Sequence, residues 1–220
     1  MFGRDGEDDP DDFERARHAL VDGLERRESL SQRTAEAMRA VPREEFLPES
    51  QRQHAYADRP LPIGEGQTIS APHMVAIMVE ALEVEPGDTV LEIGTGCGYH
   101  AAVTAEVVGA ENVYTVEYFE SLAREARARF DRLGYGEISV RAGNGWDGWP
   151  AHAPYDAAYL TCAAPEFPEA VVEQVRVGGH LLGPIGSRAQ WLVSAEKRPD
   201  GSLDRTKMSR VRFVEMQGSP

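Results

Sequence analysis

The sequence is poor in lysine and cysteine and contains no long apolar run. Only Lys197 and Lys207 are lysines, and the two cysteines, Cys97 and Cys162, lie far apart, without the spacing of a metal site or a disulfide framework. No stretch approaches the roughly 18 consecutive apolar residues of a membrane span. The acidic first residues have neither the basic start nor the apolar run of a secretory signal. We therefore expect a cytoplasmic protein with reduced cysteines and no membrane contact.

The charge of the chain is strongly negative. It has 37 acidic against 23 basic residues, which gives a formal net charge of −14 at pH 7. Such a charge disfavours indiscriminate binding to phosphates, so we expect no nucleic-acid partner. Abundant acids with scarce lysine resemble proteins of salt-rich cytoplasm, where salt screens self-repulsion, and this predicts a salt-adapted source. The six histidines form no ligand cluster in the sequence, so we expect no metal, and we expect a monomer.

The N-terminal part of the chain divides by composition into a tail and a helical segment. Residues 1–12 are acidic with little apolar content, which predicts a disordered tail. Residues 13–38 have helical periodicity with a break near Arg27, which predicts two helices, the second capped by Ser31. The proline-rich stretch 41–64 predicts loops and short turns. Ser70 is placed to cap a helix that runs to about Leu82. We take residues 13–85 as one segment.

From Pro86 onward, short apolar runs alternate with helical patterns. The runs predict strands over residues 89–93, 112–116, 137–141, 155–161 and 179–185, with helices over 99–108, 120–133 and 168–174. Two further strands, 191–197 and 209–214, are predicted to pair as a terminal hairpin. The pattern predicts an α/β fold with a doubly wound, mainly parallel, Rossmann-like sheet and helices on both faces. To this it adds an N-terminal helical extension and a C-terminal antiparallel hairpin.

A glycine-rich loop, Gly94-Thr95-Gly96-Cys97-Gly98, separates the first of these strands from its helix. Glycines there let the backbone approach a ligand closely, and the helix N-terminus offers free N–H groups. Glu92 precedes the loop, and Glu117 ends the next strand, where a carboxylate can accept hydrogen bonds from ribose hydroxyls. The pattern favours a nucleoside ligand. The alternative is that Glu92 merely faces solvent at a strand end.

Two observations argue against a dinucleotide as that ligand. When the motif G-x-G-x-x-G is aligned with the end of the strand, it needs a small residue where Tyr99 stands. A match shifted by two residues runs from Gly96 to Ala101, but it leaves too long a distance between the strand and the loop. An acid beside the loop also suits a ligand with an amino or sulfonium cation better than a pyrophosphate. S-adenosylmethionine carries both of these cations.

Several segments of the chain resemble protein-L-isoaspartate O-methyltransferases, a family of class I S-adenosylmethionine-dependent methyltransferases. The most specific is Gly66-Gln67-Thr68-Ile69-Ser70, because the glycine loop alone would indicate only a class I methyltransferase. The resemblance covers nearly everything after residue 13, and its other segments are 41–48, 55–64, 90–99, 148–157 and 211–214. It implies transfer of a methyl group from S-adenosylmethionine to the carboxylate of L-isoaspartyl residues in damaged proteins and peptides, which initiates their repair.

The resemblance also implies roles for individual residues. Ser70 matches the active-site serine, and Thr68 and Thr161 match the substrate pocket. His73 is a further candidate to flank the substrate, with packing as the alternative, and a pure helix cap is the alternative for Ser70. The implied cofactor-binding residues are Glu92, Gly94, Thr95, Gly96, Gly98, Glu117, Asn144 and Gly145. Residues 13–85 would then carry the substrate site, and residues 86–220 would form the cofactor-binding domain.

Two departures from the family pattern bear on function. Asn144 replaces an aspartate that contacts the adenine amino group, and an amide oxygen accepts a hydrogen bond without the assistance of charge. Asn144→Asp is therefore expected to tighten the cofactor. Glu215 stands where a proline is common. These departures keep an alternative open, in which the chain binds S-adenosylmethionine, has lost methylation and serves as a protein-binding module.

Overall fold

The structure, a computed structural model, describes residues 10–220. These residues form nine strands and seven α-helices. The strands are β1 (Leu61–Gly64), β2 (Gln67–Ile69), β3 (Val90–Ile93), β4 (Val113–Glu117), β5 (Ser139–Ala142), β6 (Tyr155–Leu160), β7 (Val175–Ile185), β8 (Gln190–Lys197) and β9 (Leu203–Val211). The helices are α1 (Pro10–Glu28), α2 (Gln32–Ala40), α3 (Glu49–Arg52), α4 (Pro72–Ala81), α5 (Tyr99–Val108), α6 (Glu120–Leu133) and α7 (Glu169–Gln174).

The main sheet has seven strands in the order β5-β4-β3-β6-β7-β8-β9. The first five pair in parallel, and β8 and β9 add to β7 as antiparallel strands. Parallel neighbours need crossover connections, which α5 and α6 supply, whereas antiparallel neighbours need only a turn. The predicted Rossmann-like fold with its C-terminal hairpin is thus confirmed. The strand order places β9 at the edge.

Side chains of the central strands alternate between two apolar clusters on opposite faces of the sheet. In β3, Val90 belongs to a cluster that α5 and the N-terminal helices cover, while Leu91 and Ile93 belong to a second cluster with Val171 of α7. The near-continuous apolar character of β3 therefore follows from burial on both faces. Helices cover both faces, as the sequence predicts.

The N-terminal helices differ from the prediction at their start. The chain is already helical from Pro10, so the predicted tail is wrong for residues 10–12, while residues 1–9 lie outside the described part. The physical reason is that proline is well suited to the first turn of a helix, and Asp12 pairs with Arg15 one turn later. The predicted break is confirmed, and Ser31 caps α2 by accepting a hydrogen bond from the backbone N–H of Thr34.

The proline-rich stretch is more ordered than expected. It contains α3 and β1, and β1 pairs with β2 as a small antiparallel hairpin. The predicted cap of the next helix is also wrong, because α4 begins at Pro72 and its N-cap is Ala71, which makes no side-chain cap bond. A residue before proline avoids the helical region, and Ala71 is extended, with φ −57° and ψ 144°. Ser70 is therefore free of the capping role.

The N-terminal helices and the sheet share one apolar core. Val21 and Leu24 of α1 are buried in the same cluster as Val90 of β3 and Val103 of α5. The boundary at residue 85 therefore separates two stretches of sequence that pack together, and their division into substrate and cofactor segments stays a prediction. No helix within residues 10–220 has the length and apolarity needed to cross a membrane.

We expect Gly98→Ala to destabilise the fold more than Gly134→Ala. Both glycines have positive φ, +92° and +86°, which costs an alanine about 1–2 kcal/mol. A Cβ at Gly98 would also lie 2.6 Å from Cζ of Phe130 in α6, whereas a Cβ at Gly134 would meet open space. Overpacking of this kind costs a further 1–3 kcal/mol, roughly. Urea unfolding of both variants measures the difference, and equal losses would contradict the packing role of Gly98.

Candidate active site

The parallel register brings three loop segments to one edge of the sheet. Glu92 of β3 pairs with Thr115 of β4 on one side and with Tyr159 of β6 on the other. Gly94 therefore follows β3 at the level where Glu117 ends β4 and Thr161 follows β6. Backbone hydrogen bonds fix this arrangement, from the N–H of Gly94 to the carbonyl of Val116 (2.8 Å) and from the N–H of Thr161 to the carbonyl of Ile93 (3.0 Å).

A cavity of about 500 Å³, partly open to solvent, lies at this edge. We call it the loop cavity. Four of the residues predicted to bind the cofactor line it, namely Gly94, Gly96, Glu117 and Gly145. Its other lining residues are Gln67, Thr68, Ile93, Val116, Tyr118, Phe119, Thr161, Cys162, Val214, Glu215, Met216 and Gln217. A largely apolar cavity with a few converging polar groups has the composition of a small-molecule site.

A second cavity of about 690 Å³, also partly open, adjoins the first, and we call it the serine cavity. All four residues predicted to contact the substrate, Thr68, Ser70, His73 and Thr161, line it. Thr68 and Thr161 line both cavities. The structure thus places the whole predicted substrate set in one cavity and half of the predicted cofactor set in the other, and the two cavities share Thr68, Thr161 and Val214.

Of the two acids predicted beside the glycine loop, Glu117 is the one that lines the loop cavity. Its Oε2 accepts a hydrogen bond from the N–H of Gly96 (2.7 Å), and its Oε1 accepts one from the N–H of Phe119 (2.9 Å). Burial raises the pKa of Glu117 above its usual range, although these backbone bonds oppose that effect. Each carboxylate oxygen accepts more than one hydrogen bond, so Glu117 keeps acceptor capacity for ligand hydroxyls.

Glu92 lies behind the glycine loop. Its side chain is fully buried within the sheet, where Oε2 accepts from the hydroxyl of Thr115 (2.5 Å) and Oε1 from the hydroxyl of Tyr159 (2.8 Å). Thr115 in turn shares a hydrogen bond with the hydroxyl of Thr95 in the loop (2.6 Å). Burial raises the pKa of Glu92 to about 8. The carboxyl of Glu92 therefore neither faces solvent nor lines the loop cavity.

Three other residues predicted to bind the cofactor also lie outside the cavity lining. The hydroxyl of Thr95 is engaged with Thr115, and Gly98 makes room for Phe130 of α6. Asn144 uses its side chain on the backbone, because Oδ1 accepts from the N–H of Trp146 (3.3 Å) and Nδ2 donates to the carbonyl of Ser219 (2.8 Å). Gly94, by contrast, lines the loop cavity, and its close approach to the Thr161 hydroxyl leaves no room for a side chain.

A buried arginine, which is not among the residues predicted from the sequence, supports Ser70. Arg43 is fully buried, and it donates from Nη2 to the carbonyl of Ser70 (2.7 Å) and from Nε to the carbonyl of Ala55 (2.8 Å). Its guanidinium lies 4.9 Å from the ring centroid of Tyr99. Burial lowers the pKa of Arg43, yet an arginine side chain stays charged in proteins. The only signal for it was its place in the resembling segment 41–48.

His73 is tied to the N-terminal helices through an acid. Its Nδ1 lies 2.8 Å from Oδ1 of Asp58, and its backbone N–H donates to the same oxygen (3.0 Å), while Arg27 donates to the other oxygen (2.9 Å). Partial burial raises the pKa of Asp58, but the hydrogen bonds from His73 and Arg27 more than offset it, so the net shift is downward. His73 is thus held in a fixed orientation at the wall of the serine cavity.

A sequence model of the family described as protein-L-isoaspartate(D-aspartate) O-methyltransferase matches residues 15–219. The chain belongs to this family. It is 48% identical over 208 residues to protein-L-isoaspartate O-methyltransferase 2 of Archaeoglobus fulgidus, which covers 94% of this chain and 95% of the relative. It is also 48% identical over 212 residues to the protein-L-isoaspartate O-methyltransferase of Methanopyrus kandleri, with 94% and 93% covered.

Solved structures of protein-L-isoaspartate O-methyltransferases agree with this assignment. One has a TM-score of 0.85 and 33% identity, over 92% of this chain and 66% of that chain. A Plasmodium falciparum structure, in complex with S-adenosyl-L-homocysteine, has a TM-score of 0.79 over 91% of this chain and 98% of that chain. At 24% identity the latter shows the shared fold alone. The resemblance seen in the sequence is confirmed at the level of the family.

We expect the stability conferred by Glu92 to fall with rising pH. Its pKa is about 8 in the folded protein and near 4.3 when unfolded, so between these values only the unfolded chain loses the proton. The contribution of Glu92 is fully present below about pH 4 and is lost as the pH rises to about 8. Glu92→Gln cannot ionise, so its stability relative to the wild type should rise by at most about 1.4 kcal/mol per pH unit across this window.

Urea unfolding of both proteins at several pH values between 5 and 8, roughly the window of Glu92, measures this difference. Subtracting the two curves removes the titration of groups that both proteins share, such as the buried His100, whose pKa burial lowers to about 3. Glu111→Gln provides the matched control at an exposed position. A constant difference between Glu92→Gln and wild type would show that the Glu92 carboxyl ionises as it does in water.

Proposed function

We propose that this protein transfers a methyl group from S-adenosylmethionine to the carboxylate of L-isoaspartyl residues in damaged proteins and peptides, where the loop cavity and the serine cavity meet. Membership of the family confirms the activity and the cofactor predicted from the sequence. The assignment of individual residues is our proposal. The observation that supports it is the sharing of Thr68 and Thr161 by two cavities, one lined by all four predicted substrate residues and the other by four of the eight predicted cofactor residues.

The residues around the loop cavity fit an adenosyl group bearing an amino acid. When bound, S-adenosylmethionine supplies the methyl group on a sulfonium centre. Glu117 is placed to accept hydrogen bonds from ribose hydroxyls, since two backbone N–H groups hold its carboxyl at the end of β4. Ile93, Val116 and Phe119 contribute apolar surface suited to a base. Gly94 and Gly145 also line the cavity, and neither position has room for a side chain.

The acceptor carboxylate is bound and oriented from the serine cavity. A carboxyl with an ordinary pKa near 4 is already ionised at neutral pH, so no general base is needed. Thr68 at the junction and Ser70 in the serine cavity offer hydroxyl donors, whereas the hydroxyl of Thr161 already donates to the carbonyls of Ile93 and Gly94. Arg43 fixes the backbone of Ser70. The work of these residues is positioning and the exclusion of water. His73 and the exposed Arg210 and Arg212 line the same cavity and favour an anionic substrate.

We further propose that the protein acts as a monomer in the cytoplasm of a salt-adapted organism, on proteins and not on nucleic acid. The supporting observations are the net charge of −14 and the two free cysteines, both buried. Within residues 10–220, no group of three or more His, Cys, Asp or Glu is arranged to hold a metal ion. Activity measured across salt concentrations, with size determined by light scattering, tests these points.

We expect Glu117→Ala to weaken binding of S-adenosyl-L-homocysteine by roughly 1.5–3 kcal/mol, the value of a hydrogen bond to a charged group. The variant removes the acceptor that faces the loop cavity and frees the N–H of Gly96. Glu120→Ala, at an exposed position in the first turn of α6, is the matched control and should leave affinity unchanged. Calorimetric titration gives both values. Unaltered affinity of Glu117→Ala would refute the placement of the ribose.

We expect Ser70→Ala to reduce turnover on isoaspartyl peptide while affinity for S-adenosyl-L-homocysteine stays the same. Loss of an orienting group in the transition state lowers kcat and kcat/KM together. Ser70→Asp should abolish methylation, because its charge repels the incoming carboxylate. Since Ala71 is the N-cap of α4, neither variant removes a helix cap, and unfolding by urea should change little. A folded Ser70→Asp protein with normal turnover would eliminate the role of Ser70.

The same assay separates the enzyme from a binding module. Methyl transfer is measured on paired peptides that differ only in carrying aspartate or isoaspartate at one position. We expect transfer to the isoaspartyl peptide alone. Binding of S-adenosylmethionine without transfer to either peptide would instead favour a paralogue that has lost methylation.

A further inference from the structure

One wall of the loop cavity is an extended segment near the C-terminal end of the chain, residues 214–219, which we call the strap. It runs beside the segment that follows β6, where the N–H of Ala163 donates to the carbonyl of Val214 and the N–H of Met216 donates to the carbonyl of Ala163, both at 2.8 Å. Glu215 takes part in this pairing, so the residue that replaces a common proline is accommodated. Residues 214–217 all line the loop cavity.

The far end of the strap is fastened by Asn144. The amide Nδ2 donates to the carbonyl of Ser219 (2.8 Å), and Oδ1 accepts from the N–H of Trp146 (3.3 Å). A peptide N–H can only donate and a carbonyl can only accept, so these two partners fix the orientation of the amide. A Cβ at Gly218 would clash with Asn144 Oδ1 and would lie 3.3 Å from the ring of Tyr118. Asn144 is therefore hydrogen-bonded to the strap at Ser219 and closely packed against it at Gly218.

An aspartate at position 144 would keep one of these bonds and lose the other. Its carboxylate would still accept from the N–H of Trp146, but it has no donor for the carbonyl of Ser219 and would place two acceptors against each other. We propose that Asn144 is a positioning residue, which holds the strap across the loop cavity and so retains the cofactor. This inference rests on the proposed assignment of that cavity. It reverses the effect of Asn144→Asp expected from the sequence, because the side chain of Asn144 is engaged with the backbone and is not free to contact adenine.

The test is the affinity and release rate of S-adenosyl-L-homocysteine in Asn144→Asp. We expect the dissociation constant to rise about three- to tenfold, through faster release, because one hydrogen bond to the strap is lost. Hydrogen exchange of the strap amides should become faster in the liganded variant than in the liganded wild type. Unchanged or tighter binding by Asn144→Asp would overturn the proposal.

A double-mutant cycle tells the strap apart from a direct contact with the ligand. In a chain ending at Gln217, which lacks Ser219, Asn144→Asp should change the dissociation constant by less than about twofold. Equal weakening in the long and the shortened chain would overturn the proposal, since Asn144 would then act without Ser219. Asn112→Asp is the matched control, because Asn112 also donates from Nδ2 to a backbone carbonyl, that of Val108, away from the cavity. It should leave affinity unchanged.

Two further variants keep the test decisive. If Asn144→Asp does not fold, Gly218→Ala disturbs the same contact from the strap side. Gly218 has φ +81° and no room for a Cβ. We expect this variant to lose affinity to the same extent. Normal affinity in a folded Gly218→Ala protein would contradict the proposal. Glu117→Ala separates the two proposals. If it weakens binding while Asn144→Asp does not, only the strap inference fails, and if neither weakens binding, the assignment of the cavity fails as well.

Discussion

The parallel pairing of β3 between β4 and β6 is the constraint on which the rest of the site depends. It aligns the ends of three strands, so that Gly94, Glu117 and Thr161 meet although they are far apart in sequence. Apolar residues on both faces of β3 fix its register, because a shift of one residue would turn Leu91 and Ile93 to the wrong face. A pattern that exists to bury apolar surface thereby also positions the residues of the two cavities.

The two acids beside the glycine loop serve different physical purposes. Glu117 ends its strand with its carboxyl at the cavity, held by backbone N–H groups. Glu92 is the third of the four residues of β3, and its buried side chain lies beside Thr115 of β4 and Tyr159 of β6. The buried Glu92 carboxyl is hydrogen-bonded at both oxygens and so joins β3 to β4 and β6. Through Thr115 and Thr95 it is also connected to the glycine loop. It supports the shape of the site from behind.

Segments from both ends of the described chain complete the cavities that the sheet begins. Arg43 carries hydrogen bonds from the N-terminal region to the backbone of Ser70, and the strap closes the loop cavity from the other side. In each case the bond joins a side chain to a backbone carbonyl, which fixes the path of an irregular segment. The substrate and cofactor regions are thus distinct in sequence but form one packed unit.

The sequence by itself determined the order of helices and strands after Pro86, the glycine loop and the family, and it picked out eight of the residues that line the two cavities. These follow from local periodicity and from motifs, which do not depend on distant contacts. Tertiary structure decided the direction of Glu92, since that depends on which residues face it across β4 and β6. It also decided the start of α4, where Pro72 excludes Ser70 as a cap, and the hairpin of β1 and β2 within a proline-rich stretch. The role of Asn144 could not be read from a comparison of side chains, because it depends on a carbonyl 75 residues away that only the folded chain brings within 2.8 Å.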